Sequence, residues 1–242
     1  MAFLKCTFNS ASLGKSENFN AIIPEGFEEN SKALYLLHGL SDCCEAWCRY
    51  TSIERYAEER GIVVIMPDAA RSFYADSVHG ENYYTYISKE LPEYTRKLFK
   101  LSSKKEDTFV AGLSMGGYGA LKIALRNSEY FGGAASLSGV LDIVARDEDK
   151  TWETDFKRIF GDTHDLSESC EDVMYLAKNL RGTKPRIYQA CGTEDFLYED
   201  NIRFRSLIEN LGFDYKYDEG PGSHDWAFWD AYICRAIDFL IN

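Results

Sequence analysis

Thr108-Phe-Val-Ala-Gly112-Leu-Ser114-Met-Gly116-Gly-Tyr-Gly-Ala120 runs from a short apolar segment into a helical pattern through a glycine-rich corner. Residues 108–112 suit a strand buried on both faces of a mostly parallel sheet, and residues 115–127 suit the helix that follows. The pattern Gly-x-Ser-x-Gly puts Ser114 on a sharp strand-to-helix turn, with its hydroxyl standing above the sheet edge. Helix and strand must come close there, which leaves little room for Cβ atoms and explains the glycines on either side. The helix also aims its N-terminal amides at the hydroxyl. Ser114 is therefore the candidate nucleophile.

Working outward, Ala33-Leu-Tyr-Leu-Leu37 and Ile62-Val-Val-Ile-Met66 are two more continuous apolar runs of strand length. Arg186-Ile-Tyr-Gln-Ala-Cys191 is a more polar strand candidate, and Asp214-Tyr-Lys-Tyr-Asp218 resembles an edge strand. Residues 2–9 and 18–24 alternate like two early strands. Helical patterns occupy 50–60, 83–100, 115–127, 199–211 and 225–241, with Pro92 interrupting the second. Alternating buried strands and helices imply an α/β fold, a mostly parallel central sheet with helices on both faces. A chain of 242 residues, 45% apolar and without linker or repeat, suits one domain over 1–242. Residues 141–181 break the alternation with Asp, Glu and Lys clusters around Trp152, and are expected to form an insertion beside the mouth of the site.

A serine corner of this type is followed along the chain by an acid and then a histidine. Of the four histidines, His38, His79, His164 and His224, two follow Ser114. His224 lies in the turn-rich Gly220-Pro-Gly-Ser-His224-Asp-Trp226, between the last strand candidate and the last helix. His164 sits in a polar stretch, too early and expected to be solvated. The acid must follow a late strand, and Cys191-Gly-Thr-Glu194-Asp195-Phe196 meets that demand. Asp195 is preferred, with Glu194 as its competitor. Asp200 reads as a residue of a helix N-terminus. The loop after the first buried strand supplies one backbone N–H to an oxyanion, and the residue after the nucleophile supplies another. Those donors are assigned to Leu40 and Met115. Gly39 lets the backbone approach a substrate, and His38 is read as ordering this loop through local hydrogen bonds.

The net charge of −12 disfavours phosphate backbones and anionic membrane surfaces, so neither nucleic acid nor membrane is an expected partner. The first ten residues lack the apolar core of a signal peptide, and no stretch approaches the roughly 18 apolar residues of a membrane span. Seven cysteines, an odd number, fit a reducing cytoplasmic setting. Cys43, Cys44 and Cys48 lack the second cluster of ligands that a zinc site needs, so no metal is assigned.

The motifs together resemble the esterase D-like family of the α/β-hydrolase superfamily, and within it the bacterial tributyrin esterases. The resemblance runs nearly end to end. It includes His38-Gly-Leu-Ser41, Arg49-Tyr-Thr-Ser-Ile-Glu-Arg55, Val64-Ile-Met-Pro-Asp68 and Arg71-Ser-Phe-Tyr-Ala-Asp76. It continues through Ala111-Gly-Leu-Ser-Met-Gly-Gly-Tyr118, Glu194-Asp-Phe-Leu-Tyr198 and His224-Asp-Trp226. It implies an α/β-hydrolase fold and hydrolysis of short-chain acyl esters through a covalent acyl-enzyme, with no metal or organic cofactor and a small-molecule ester as partner. S-formylglutathione hydrolases share the corner and the order of the three residues. They usually carry Leu-Thr-Cys-Thr after the oxyanion glycine, where this chain has Leu40-Ser-Asp42-Cys43. A feruloyl or acetyl-xylan esterase, an acyltransferase and a non-catalytic binding module on the same fold stay open, as does a homo-oligomer. Phe73, Tyr74, Trp152 and Trp226 flank the expected site loops and are candidate substrate contacts, with core packing as the competing reading.

Overall fold

The structure, a computed structural model, describes residues 1–242. Eight strands form one sheet in the order β1-β2-β4-β3-β5-β6-β7-β8. The strands are β1 (Ala2–Ser10), β2 (Lys15–Ile23), β3 (Ala33–Leu37), β4 (Val63–Pro67), β5 (Thr108–Leu113), β6 (Gly133–Leu137), β7 (Arg186–Gly192) and β8 (Tyr215–Gly220). β1 pairs antiparallel with β2, and β2 with β4. Every other pairing is parallel.

The helices are α1 (Ala46–Tyr50), α2 (Ile53–Arg60), α3 (Tyr83–Thr85), α4 (Leu91–Phe99), α5 (Met115–Arg126), α6 (Ile143–Glu148), α7 (Glu153–Phe160), α8 (Val173–Asn179), α9 (Tyr198–Ile208) and α10 (Trp226–Ile241). A π turn at Tyr86–Glu90 joins α3 to α4 in one continuous helical run, and Pro92 is the second residue of α4. No helix is long and apolar enough to cross a membrane.

Alternation along the strands feeds two cores. Tyr35, Leu37, Val63, Ile65 and Val110 point to the face covered by α4, α5, α8 and α9. Leu34, Leu36, Val64, Met66 and Phe109 point to the face covered by α2 and α10. Sheet and both helical layers thus exclude water on each side, which accounts for the continuous apolar runs of β3, β4 and β5.

Strand β6 was not among the sequence expectations. Gly133-Ala-Ala-Ser-Leu137 has little strand propensity, since Gly and Ala are depleted in strands. It is nonetheless fully buried between β5 and β7. Its small residues admit a helix on either face: a Cβ on Gly133 would lie 2.7 Å from Leu240 of α10, and one on Gly117 of α5 would lie 2.7 Å from Ser136. Tertiary packing decides this strand, and local preference does not. Between β6 and β7, residues 141–181 form the short helices α6, α7 and α8.

Candidate active site

The C-terminal ends of the parallel strands carry the site, as is general for open α/β sheets. At the end of β5, Ser114 has φ 54° and ψ −119°, a conformation that L residues seldom hold outside constrained sites. Two features hold it there. Its N–H donates to Leu137 O at 2.9 Å, and its carbonyl accepts from Tyr118 N at 3.1 Å. The glycines permit the geometry: a Cβ on Gly112 would lie 2.5 Å from the Gly116 backbone, and one on Gly116 would lie 2.6 Å from Leu37 O.

Asp195 follows β7 and His224 follows β8. His224 Nε2 lies 3.0 Å from Ser114 Oγ, and Nδ1 lies 3.0 and 2.9 Å from the two Asp195 oxygens. The Asp195 side chain is fully buried and also accepts Leu197 N–H at 2.8 Å. With Nδ1–H donating to a carboxylate, Nε2 is left to accept from the Ser114 hydroxyl. Phe196 and Trp229 flank the imidazole with ring centroids 4.6 and 4.9 Å away, and Trp229 Nε1 is anchored on Ser138 Oγ at 3.0 Å. Glu194 turns away from His224. Its carboxylate accepts Gly222 N–H, which holds the carboxyl below the usual carboxylate range.

The loop after β3 runs alongside Ser114: a Cβ on Gly39 would lie 3.8 Å from Ser114 Cβ. The N–H groups of Leu40 and Met115 have no acceptor within the chain, and Met115 is completely buried. His38 has both ring nitrogens engaged locally, Nδ1 donating to Gly39 O at 2.7 Å and Nε2 accepting Ala69 N–H at 2.9 Å. It pins the loop after β3 to the loop after β4 and takes no part in the line of Ser114, His224 and Asp195. His164 is ordered, not solvated as expected: Asp147 and Gly161 O hold it at 2.9 and 2.7 Å, well away from the cleft.

The cleft above Ser114 has a volume of about 410 Å³ and includes Gly39, Leu40, Trp152 and Trp226 in its wall. Phe73 and Tyr74 are corrected by the structure: both are fully buried and absent from that wall. Phe73 packs on Trp152 and Phe156 at 5.4 and 5.0 Å, and Tyr74 hydroxyl donates to His38 O at 2.8 Å. Both residues have positive φ, so the chain doubles back and sends their rings inward. Six further lining residues, Ser41, Asp42, Leu113, Phe196, Asp225 and Trp229, are not among the candidates read from the sequence. Position in the chain could have flagged four of them, since Leu113, Phe196 and Asp225 adjoin Ser114, Asp195 and His224, and Trp229 lies in the first turns after His224.

Comparison with known proteins agrees with this architecture. The model of the esterase family described as "Putative esterase" matches residues 10–240. An acetyl esterase of Caldicellulosiruptor saccharolyticus is 34% identical, over 99% of this chain and 98% of its own. Among solved structures, fluorophosphonate-binding serine hydrolase F of Staphylococcus aureus superposes with a TM-score of 0.92 at 36% identity, covering 100% of this chain and 98% of that one. An S-formylglutathione hydrolase of Staphylococcus aureus gives 0.90 at 36% identity, covering 100% and 99%. The chain belongs to this esterase family and is a carboxylic ester hydrolase, a serine esterase of the α/β-hydrolase fold.

Proposed function

We propose that Ser114, His224 and Asp195 are the catalytic triad of a carboxylesterase that hydrolyses short-chain acyl esters. The observation that carries this reading is the unbroken line of hydrogen bonds from Ser114 Oγ through both His224 nitrogens to the buried Asp195 carboxylate, at the base of an open cleft. In the acylation step Ser114 attacks the ester carbonyl while His224 Nε2 takes its proton. Asp195 holds the required tautomer and stabilises the imidazolium without accepting the proton. The free N–H groups of Leu40 and Met115 are the donors for the tetrahedral oxyanion, and loss of one such donor typically costs about 10²–10³ in rate. His224 then protonates the departing alcohol, and water repeats the sequence on the acyl-enzyme.

A short acyl group is favoured by the packing of Phe73, Trp152 and Phe156, whose rings fill the space beside the nucleophile helix. The acetyl esterase relative agrees with that preference. The likeness to an S-formylglutathione hydrolase supports a second reading, in which the leaving group is a thiol. The free thiols of all seven cysteines support a reducing, cytoplasmic setting. The acidic surface supports a small-molecule ester as the partner, in preference to nucleic acid or membrane. The deciding experiment is a panel of p-nitrophenyl esters from acetyl to octanoyl, with S-formylglutathione and methyl ferulate alongside. Turnover confined to octanoyl or to methyl ferulate would overturn the short-chain reading.

A further inference from the structure

The charges in the cleft wall are of one sign. Asp42 and Asp225 both line it, and no lysine or arginine does. Asp225 is occupied, since it caps α10 through Phe228 N–H and accepts the Ser223 hydroxyl. Asp42 is not. Its carboxylate accepts no hydrogen bond and makes no ion pair, with Arg49 in the adjoining groove not in contact with it, although the molecule forms ion pairs over much of its surface.

Asp42 stands close to the loop that carries Leu40. Asp42 Oδ2 lies 2.9 Å from where a Cβ on Gly39 would stand, beside the backbone that precedes the Leu40 amide. A bare carboxylate there repels the oxyanion that forms during the reaction. It lowers the rate with any substrate that brings no compensating charge. The aromatic side chains of Phe196 and Trp226 line the same cleft, with Phe196 more than half exposed. Aromatic faces together with an unpaired carboxylate are the elements that recognise a desolvated organic cation.

Resting on the triad reading above, we infer that Asp42 is a specificity residue on the leaving-group side. It selects esters and thioesters whose alcohol or thiol carries a positive charge, such as an amino or quaternary ammonium group, and disfavours anionic ones. Glutathione thioesters, with two carboxylates and one ammonium, fall on the disfavoured side.

The test holds the acyl group and the leaving sulfur constant. Acetylthiocholine, its uncharged isostere 3,3-dimethylbutyl thioacetate, and S-acetyl-3-mercaptopropionate are compared by kcat/KM at low salt. The wild type should prefer cation over neutral, and neutral over anion, by roughly fivefold at each step, the scale of one unit-charge contact near water. Asp42→Asn should compress both ratios towards one, and added salt should compress them partway. Ratios are read, so any effect of the substitution common to all three substrates cancels. Equal rates in the wild type, or ratios unchanged in Asp42→Asn, would overturn the charge selection. Ser114→Ala run on the same substrates separates the two readings. Loss of all three activities leaves the triad standing whatever the ratios show, whereas activity that survives it overturns the triad reading and this inference with it.

Discussion

The carboxylate of Glu194 accepts the backbone N–H of Gly222, two residues before His224. The backbone repeats the link, Glu194 N–H donating to Gly222 O at 3.0 Å. Gly192 has room for no side chain against Gly222 O, so the loops after β7 and β8 lie in direct backbone contact. Adjacent acids therefore divide the work, Glu194 tying the two loops together while Asp195 reaches His224 from beneath. Asp195→Asn keeps the size but removes the charge and can turn His224 to the wrong tautomer. It should lower kcat by roughly 10²–10⁴. Glu194→Gln keeps an acceptor for Gly222 and should cost less than about tenfold, on the scale of one weakened hydrogen bond. Steady-state kinetics of the two variants decide between them, and the reverse ranking would move the acid from 195 to 194.

Ser114→Ala should abolish ester hydrolysis and leave the fold intact, because the removed hydroxyl makes no structural contact other than that to His224. Activity and far-UV circular dichroism on the same sample check both halves. More than a few per cent of wild-type turnover in a folded variant would rule out Ser114 as the nucleophile.

Which parts of this arrangement were legible in the sequence follows from what fixes each part. That Ser114, Asp195 and His224 come together was legible because their places are set by strand ends, which are written locally in the chain. β6 was not, because the burial that makes Gly133–Leu137 a strand comes from β5, β7, α5 and α10, elements distant in sequence. From the sequence, Phe73 and Tyr74 are candidate cleft contacts with core packing as the competing reading, and core packing is what the structure shows. The two positive φ values that turn their rings into the core have no signature in non-glycine residues. The role of Glu194 required knowing that the loops after β7 and β8 touch.

Gly116→Ala should be far more disruptive than an alanine is in an ordinary helix. Its Cβ would meet Leu37 O at 2.6 Å and His38 O at 2.7 Å, both backbone atoms that no rotamer change can move. Overpacking of this kind costs about 1–3 kcal/mol or more. The displacement would also reach the loop that carries Leu40. A lower urea midpoint together with a loss of kcat beyond tenfold is expected. A variant with unchanged stability and kcat would show that the corner tolerates the extra methyl.

Acyl length should be limited by the packing of Phe73 against Trp152 and Phe156, which leaves the nucleophile helix lined by rings. Values of kcat/KM for p-nitrophenyl esters should be highest between acetyl and butyryl and fall towards octanoyl. A steady rise through octanoyl would overturn this limit.

Lys122, on the helix that begins beside Ser114, is completely buried and donates to Phe73 O at 2.9 Å and to Glu171 Oε2 at 2.6 Å. Burial pulls its ammonium below the ordinary lysine range against the attraction of Glu171. For Glu171, burial works to raise the carboxyl, but Lys122, Tyr118 and Arg126 outweigh it and hold the carboxyl below its usual range. Removing the carboxylate leaves a buried cation without its partner, a change that typically costs about 3–5 kcal/mol. Glu171→Gln should therefore lower Tm at neutral pH by on the order of ten degrees, since each kcal/mol moves Tm by roughly 2–4 °C in a chain of this size. The pH dependence has a definite sign. The folded carboxyl lies below its unfolded value of 4.5, so its contribution is present in full above that pH. It is lost as the pH falls through the depressed folded value. Thermal melts of wild type and Glu171→Gln should differ most above pH 5 and converge on acidification below that point. A gap that stayed constant down to the lowest pH at which both fold would show that the carboxylate charge is not what holds Lys122 in place.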